Sequence, residues 1–158
     1  MVGTLFTPRL AGFVVLVSCL AGPDPAPEEP KRVKVTVVTI LASDKGDEVD
    51  ARLKGIAAEV RKMNPQLKAF KLVSMASKSL AVDEKAAFPL VDEQSAQVVI
   101  RHSADPNNRV SLGVTPPKQG EIAYRAVCGK FLPIVTRYQT EGKERLILAV
   151  RVQPCNGK

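Results

Sequence analysis

The feature that most constrains the fold is one amphipathic segment in a chain otherwise patterned for strands. Apolar residues recur at helical spacing and form a single stripe made of Val49, Leu53, Ile56, Ala57, Val60 and Met63. A helix with one apolar stripe has to bury that stripe against another element. Asp47 is the predicted N-cap, Asp50 adds negative charge to the first turn, and Asn64-Pro65 ends the helix. The sequence therefore predicts one helix lying on a sheet.

The segments around this helix carry the signals of β-strands. Lys34 to Ser43 is rich in β-branched residues and has apolar side chains at both parities, which predicts a central strand covered on both faces. Further along, apolar residues alternate with polar ones, and turns are indicated at Asp105-Pro106-Asn107-Asn108 and at Glu141-Gly142. We predict an α+β domain in which the helix packs on a mainly antiparallel sheet of about six strands. A β-sandwich with one helix at its side is the alternative.

The start of the chain is typical of an export signal. Arg9 is the only charged residue before Asp24, and the apolar run from Leu10 to Gly22 follows it at once. That run is shorter than the roughly 20 residues that span a bilayer, and it has the proportions of a secretory signal. Residues 1–18 are therefore predicted to be a signal peptide. The mature protein is expected in the cell envelope as a membrane-anchored lipoprotein, or as a periplasmic or secreted protein.

Two cleavage points compete at the end of the signal. Leu16-Val17-Ser18-Cys19 resembles the bacterial lipobox. The resemblance implies that Cys19 becomes the lipidated first residue of the mature protein, anchored by lipid chains at about 0.8 kcal/mol per buried CH₂ group. The alternative is ordinary signal-peptidase cleavage after Ala21, which has small residues at the flanking positions.

The residues behind the signal predict a tether. Residues 19–31 contain four prolines and several acidic residues, with almost nothing apolar to bury. Proline supplies no backbone donor, so this stretch is expected to be an extended, solvated spacer. The remaining residues, 32–158, are enough for a single domain with its own core.

The last two cysteines are predicted to pair. If Thr140 lies opposite Lys143 around a two-residue turn, or Gln139 opposite Glu144 around a four-residue loop, extending the hairpin places Cys128 opposite Cys155. Directly opposed residues of antiparallel strands have Cα atoms close enough for a disulfide, and an oxidising compartment preserves such a bond. The same register puts Phe131 and Val135 on the face shared by Leu146, Leu148, Val150 and Val152. Lipidation of Cys19 then accounts for the odd number of cysteines.

The histidine content argues against common catalytic sites. His102 is the only histidine, and it stands in the segment His102-Ser103-Ala104-Asp105. These are the residue types of a catalytic triad, but a triad is defined by its spatial arrangement and these residues follow one another at a strand end. A solvated turn histidine is the better interpretation. One histidine among dispersed acids also gives no zinc-ligand spacing.

The acidic residues form clusters without a recognised metal motif. They are Asp44-Asp47-Glu48-Asp50 and Asp83-Glu84 with Asp92-Glu93. The first lacks the spacing and the downstream glutamate of an EF-hand loop. We therefore predict no metal ligand, no cofactor and no catalytic residue.

The charge pattern limits the partners. The formal net charge is +7, and the lysines and arginines are spread evenly along the chain without a basic run. Solvated faces explain this distribution, so no specific nucleic-acid binding is expected. Binding of an acidic polymer or of anionic lipid stays open, because a basic surplus attracts polyanions.

Three segments carry a wider resemblance. Thr39-Ile40-Leu41-Ala42-Ser43, Val49-Asp50-Ala51-Arg52-Leu53-Lys54 and Cys128-Gly129-Lys130-Phe131-Leu132-Pro133-Ile134-Val135 are similar to a group of bacterial exported proteins. The similarity covers most of the mature chain. The group has no established activity, so the resemblance supplies no functional residue.

These observations favour a non-enzymatic envelope protein. The predicted function is a lipid-tethered binding or assembly module, with the membrane contacted through Cys19 and an envelope protein as the expected partner. Two alternatives stay open, a hydrolase that uses Asp or Glu residues at an unrecognised site, and a binder of acidic polymer or anionic lipid.

Overall fold

The strand signals correspond to eight strands and the helical stripe to one helix. The computed structural model describes residues 22–23, 25–26 and 31–154. In chain order its elements are β1 (Arg32–Ser43), a 3₁₀ turn (Ala51–Leu53), α1 (Lys54–Met63), β2 (Ala69–Ala81), β3 (Lys85–Pro89), β4 (Ser95–His102), β5 (Arg109–Thr115), β6 (Ile122–Val127), β7 (Phe131–Gln139) and β8 (Arg145–Pro154).

The strands form two four-stranded antiparallel sheets. Sheet A has the order β2-β1-β8-β7 and sheet B the order β3-β4-β5-β6. A shared apolar core lies between them, to which β1 and β8 contribute from one side and β4 and β5 from the other. The class is α+β and mainly antiparallel, as predicted. The single sheet of about six strands is wrong, and the alternative, a sandwich with one helix, describes the arrangement.

Two short connections explain why the chain forms two sheets instead of the single predicted sheet. Residues 82–84 join β2 of sheet A to β3 of sheet B, and residues 128–130 join β6 of sheet B to β7 of sheet A. Alternating apolar residues look the same whether the next strand continues the sheet or folds over it. The sequence pattern therefore predicts the strands without predicting the change of sheet.

The helix covers part of the outer face of sheet A. Its stripe packs on the apolar residues of β1 and β8 that face away from the sandwich core. The buried members are Leu53 from the 3₁₀ turn, Ile56, Ala57 and Val60 from α1, Val38, Ile40 and Ala42 from β1, Leu67 and Phe70 from the connection to β2 and its start, and Ile147 and Ala149 from β8. This confirms that β1 is a central strand, and it is covered on both faces from Val38 to Ala42.

The start of the helix lies further along the chain than predicted. Asp50, not Asp47, is the N-cap, and it caps the 3₁₀ turn that leads into α1. Val49 instead forms an isolated bridge with Phe70 of β2, and Met63 at the last turn is 58% exposed. The bridge holds the chain extended as far as residue 49, so helical dihedrals begin only after it.

The final hairpin has a different register from the predicted one. Its turn contains three residues between Thr140 and Glu144, whose backbone atoms are joined by a hydrogen bond of 3.0 Å, and Lys143 adopts a φ of 63°. Beyond an irregularity in β7, Ile134 pairs with Leu148. An odd loop length changes the parity of every pair. Phe131 and Val135 consequently face the helix side of sheet A, and the predicted shared face for them is wrong.

The strands define two ends of the sandwich. The spacer end contains the start of β1, the end of β8 and three connections, which are residues 82–84, 103–108 and 128–130. At the far end lie the connections 44–50, 64–68, 90–94, 116–121 and 140–144. The spacer therefore joins the domain at the end opposite to most of the longer connections.

Candidate functional site

Three adjoining cavities open at the far end of the sandwich. Their volumes are about 350, 580 and 480 Å³. The first two share Ser43 and Lys45, and the last two share Leu41 and Glu144. We call this continuous surface the far-end cleft. Its size is in the range of small-molecule sites. The first cavity is mainly polar, whereas the second and third expose polar and apolar surface in about equal amounts.

The first cavity of the cleft is rich in cations. Lys45 follows β1, and Lys143 and Arg145 belong to the turn and start of the final hairpin. Asp44, the amides Asn64, Gln66 and Gln139, and the hydroxyl of Ser43 complete most of the polar lining. Arg145 donates from Nη1 to the carbonyl oxygen of Thr136 at 3.3 Å, which fixes its guanidinium at the rim. Such a wall suits a polar ligand with acidic groups.

The second cavity brings carboxylates together. Glu48 and Asp50 come from the connection before the helix, and Glu144 comes from the turn of the final hairpin. Backbone hydrogen bonds attach this connection to β2. Asp50 donates from its N–H to the carbonyl oxygen of Phe70 at 3.1 Å, and Phe70 donates to the carbonyl oxygen of Glu48 at 2.8 Å. The main chain thus positions two of the three carboxylates.

Asp50 is held ionised by its neighbour. Its Oδ1 accepts hydrogen bonds from the backbone N–H and the Nε of Arg52, both at 3.0 Å, and its Oδ2 accepts from Nη2 at 2.8 Å. These bonds to the Arg52 side chain and backbone lower the pKa of Asp50 to about 2. A carboxylate with so low a pKa is a poor general acid near neutral pH. Its evident role is to cap the 3₁₀ turn that leads into α1.

The third cavity contains a tyrosine bonded to an aspartate. The hydroxyl of Tyr138 donates to Oδ2 of Asp92 at 2.9 Å, and this bond is the main reason why the pKa of Tyr138 is raised. The ammonium of Lys118 lies 5.4 Å from the centre of the same ring. The tyrosine therefore ties the β3–β4 connection to strand β7, and the 116–121 connection lies against it.

The residue types of a triad do not form one. His102 is exposed, and Ser103 follows it in the connection to β5. Oδ1 of Asp105 accepts hydrogen bonds from the backbone N–H groups of Asn107 and Arg109, both at 2.9 Å. That carboxylate organises its own turn. His102 is exposed, as predicted, but it is the last residue of strand β4 and pairs with Ser111, so it does not lie in a turn.

The predicted acidic clusters lie at different ends of the domain. Glu48 and Asp50 of the first cluster line the far-end cleft, as does Asp92. Asp83 and Glu84 lie at the spacer end instead. Within the residues that the structure describes, no group of three or more potential metal ligands lies close enough together to hold an ion.

The residues predicted to carry modification are only partly described. Cys19, the alternative cleavage point after residue 21, most of the spacer and Cys155 lie outside the described residues. Cys128 lies in the turn after β6, where it donates from its N–H to the carbonyl oxygen of Asn108 at 2.9 Å and forms no disulfide within the described part of the chain. The register that suggested its pairing with Cys155 is not the one observed. The disulfide itself stays a prediction.

No sequence pattern predicts that Lys143, Glu144 and Arg145 belong to a site. They reach the cleft because β8 pairs with β1, which brings the last hairpin beside the connection that follows the first strand. The glycine at residue 142 indicates a hairpin between β7 and β8, but no sequence signal identifies the strand that pairs with the other edge of β8.

Comparisons with protein-family models, curated proteins and solved structures give no significant match to this chain. In the described ranges, no helix has both the length and the hydropathy needed to cross a bilayer.

Proposed function

We propose that the protein is an exported module of the cell envelope, tethered to the membrane by lipid on Cys19, which uses its far-end cleft to bind another envelope protein. The observation that carries the proposal is that the spacer and the cleft lie at opposite ends of the domain. The spacer joins the domain where β1 begins, and the cleft opens where β1 finishes.

This opposition suits a tethered module. An extended chain advances by about 3.1 Å per residue, so residues 19–31 span up to about 40 Å from an anchor at Cys19. The cleft would then face away from the membrane, where an envelope protein can reach it. Simple secretion after cleavage behind Ala21 would leave the cleft intact and remove only the anchor.

The charges of the cleft define the partner. Lys45, Lys143 and Arg145 outnumber Asp44 in the first cavity, whereas the second contains Glu48, Asp50 and Glu144 beside Lys45 and Lys71. A segment with acidic side chains for the first cavity and basic ones for the second would match both. Charge complementarity of this kind gives specificity and speeds association.

The tether is tested by the intact mass of the mature protein, recovered from its native compartment under non-reducing conditions. We expect a chain that begins at Cys19 and carries lipid, and a Cys19→Ala variant that leaves the membrane fraction. The same spectrum shows whether Cys128 and Cys155 are joined. An unlipidated chain that begins at residue 22 would show that the protein is secreted without a lipid tether.

The cleft is tested by cross-linking to envelope proteins with Lys143→Glu as the probe. Lys143 is exposed, so its replacement should preserve the fold. We expect one cross-linked partner to be lost or strongly reduced. Lys85→Glu, an equal charge change on an exposed residue at the spacer end, is the matched control. Equal losses in both variants, or no partner captured by the wild-type protein, would count against the cleft as the binding surface.

A carboxylate-based hydrolase is the second candidate, and one observation favours it. Glu48, Asp50 and Glu144 line the same cavity, and paired carboxylates are the usual groups of acid–base hydrolysis. Screening the protein against glycoside, ester and peptide substrates tests this candidate. Activity that disappears in Glu48→Gln and Glu144→Gln, but survives in the exposed control Glu93→Gln, would establish it over the binding module.

A further inference from the structure

The outer face of sheet A has a half that the helix leaves uncovered. This half lies toward the spacer end, and we call it the basic face. Its members are Arg32, Lys34 and Thr36 of β1, Ser77 and Ser79 of β2, and Arg151 and Gln153 of β8. Alternation along the strands places them on the side of the sheet that carries the helix, because Val38 and Ala149 on that side belong to the helix-facing core.

The strand register brings these residues side by side. Thr36 lies between Ser77 on β2 and Arg151 on β8, and Lys34 lies between Ser79 and Gln153. Thr36 is 2% exposed, and its hydroxyl is hydrogen-bonded to that of Ser77 at 2.8 Å. The result is a row of hydroxyl side chains, in which Ser77 and Ser79 are exposed and Thr36 is buried, with cations on either side.

Arg151 is the least compensated charge on this face. Its Nε is buried and has no hydrogen-bond partner, and its guanidinium carbon lies 4.7 Å from the centre of the Phe131 ring. None of the ion pairs among residues 31–154 involves Arg151. The contact with the aromatic ring offsets part of the free energy that the guanidinium loses when it leaves water, but it provides no counter-ion. A partly buried guanidinium without a carboxylate is a natural site for an external anion.

The neighbouring charges leave this face positive. Arg32 is engaged, because it bonds to Ser79 and forms an ion pair of 3.2 Å with Glu84. Lys34 is exposed and forms no ion pair within the described ranges. From the helix side, Glu59 lines a shallow cavity next to Phe131, but it is paired with Lys62 at 2.7 Å. Lys34 and Arg151 therefore remain available to an anion.

We propose that the basic face binds the headgroup phosphate of an anionic lipid. Guanidinium, ammonium and hydroxyl donors are the groups that recognise phosphate oxygens. The basic face borders the end of the sandwich that the spacer joins, so the proposed tether keeps it near lipid headgroups, whereas the cleft lies at the opposite end. The choice of a lipid over a soluble anion rests on the proposed tether, but the anion site itself does not.

The test measures binding of the mature chain, residues 19–158 carrying Cys19→Ala, which lacks the apolar signal and cannot take lipid, to vesicles of phosphatidylcholine with and without phosphatidylglycerol. We expect binding only to the anionic vesicles, weakened by salt. Lys34→Gln and Arg151→Gln should each weaken it roughly fivefold, because a basic residue near an anionic surface is worth about 1 kcal/mol. Arg137→Gln, an exposed site near the far end of β7, is the charge-matched control and should change affinity less than twofold, because attraction to an anionic surface falls off within a Debye length of about 8–10 Å.

Each outcome decides the proposal. Equal weakening in the control would mean bulk charge attraction, which overturns a localised site. If the protein binds inorganic phosphate but shows no preference for anionic vesicles, the ligand of this face is a soluble anion and not a lipid. Lys34 is exposed, so its variant remains informative if Arg151→Gln fails to fold. Because no lipid at Cys19 is involved, failure of the tether and failure of the basic face are separate results.

Discussion

The two halves of the outer face of sheet A are built on the same strands and have opposite surfaces. Toward the far end, β1 and β8 present Ile40, Ala42 and Ile147, which are fully buried under the helix. Toward the spacer end, the same strands present Lys34, Thr36 and Arg151. A ten-residue helix is about 15 Å long, whereas twelve residues of β1 extend about 40 Å. The apolar residues, not the strand length, decide where the helix packs.

The apolar half and the polar half of this outer face also have different roles, one in stability and the other in recognition. The apolar half stabilises the domain by excluding water, and it has no exposed group with which to recognise a ligand. The polar half adds little to stability, because its groups exchange water for one another at small net gain. It can therefore carry unpaired cations that a core could not. The following substitutions should display this asymmetry.

The largest effect is expected in the covered half. Ile40→Ala should lower the free energy of unfolding by about 2–5 kcal/mol, because it removes fully buried methyl groups and leaves a cavity between sheet and helix. Urea unfolding followed by circular dichroism measures the change. A loss below about 1 kcal/mol would mean that the helix is not firmly packed on β1.

A smaller and pH-dependent effect is expected at the helix cap. Asp50→Asn should lower the melting temperature at neutral pH, because it removes the charge that Arg52 and the first turn of the helix favour. The folded pKa of about 2 lies below the usual 3.8, so this stabilisation is present above pH 3.8 and disappears as the pH falls toward 2. Wild type and variant should therefore converge in acid, and a constant difference would contradict the mechanism.

A still smaller effect is expected for the hydroxyl pair of the polar half. Thr36→Val keeps the shape of the side chain and removes its hydrogen bond to Ser77, which should cost about 1 kcal/mol. A double-mutant cycle with Ser77→Ala isolates the contribution of the pair. A loss as large as that of Ile40→Ala would show that the polar half is a structural core rather than a surface.

The smallest effect on stability is expected at Lys34. Lys34→Gln should change the free energy of unfolding by no more than about 0.5 kcal/mol, because the side chain is exposed and unpaired among the described residues. The same variant should weaken binding to anionic vesicles. Stability that is retained while binding is lost would complete the contrast with Ile40.

Part of the fold follows from local patterns. The burial of both faces of β1 between Val38 and Ala42, the helical stripe from Leu53 to Val60 and the final hairpin are confirmed, since each follows from a pattern among residues close in sequence. The N-cap at Asp47 is wrong because the bridge from Val49 to Phe70, between residues distant along the chain, delays the helix.

The candidate site was less accessible to prediction. Glu48 and Asp50 belong to an acidic cluster that the sequence displays, but their meeting with Glu144 depends on the pairing of β1 with β8. The basic face depends on the same pairing, because Lys34 and Arg151 are far apart along the chain. Evenly spread lysines and arginines give no hint of such a surface.

The sequence by itself determines which residues form strands, which form the helix, and that β1 is apolar on both faces between Val37 and Ala42, because period and hydropathy are local properties of the chain. Only the tertiary structure decides that these strands divide into two sheets, that a three-residue turn reverses the faces of Phe131 and Val135, and that the first and last strands pair. The physical reason is that strand pairing is long-range and a shift of one residue exchanges the two faces. The cleft and the basic face exist only through those pairings.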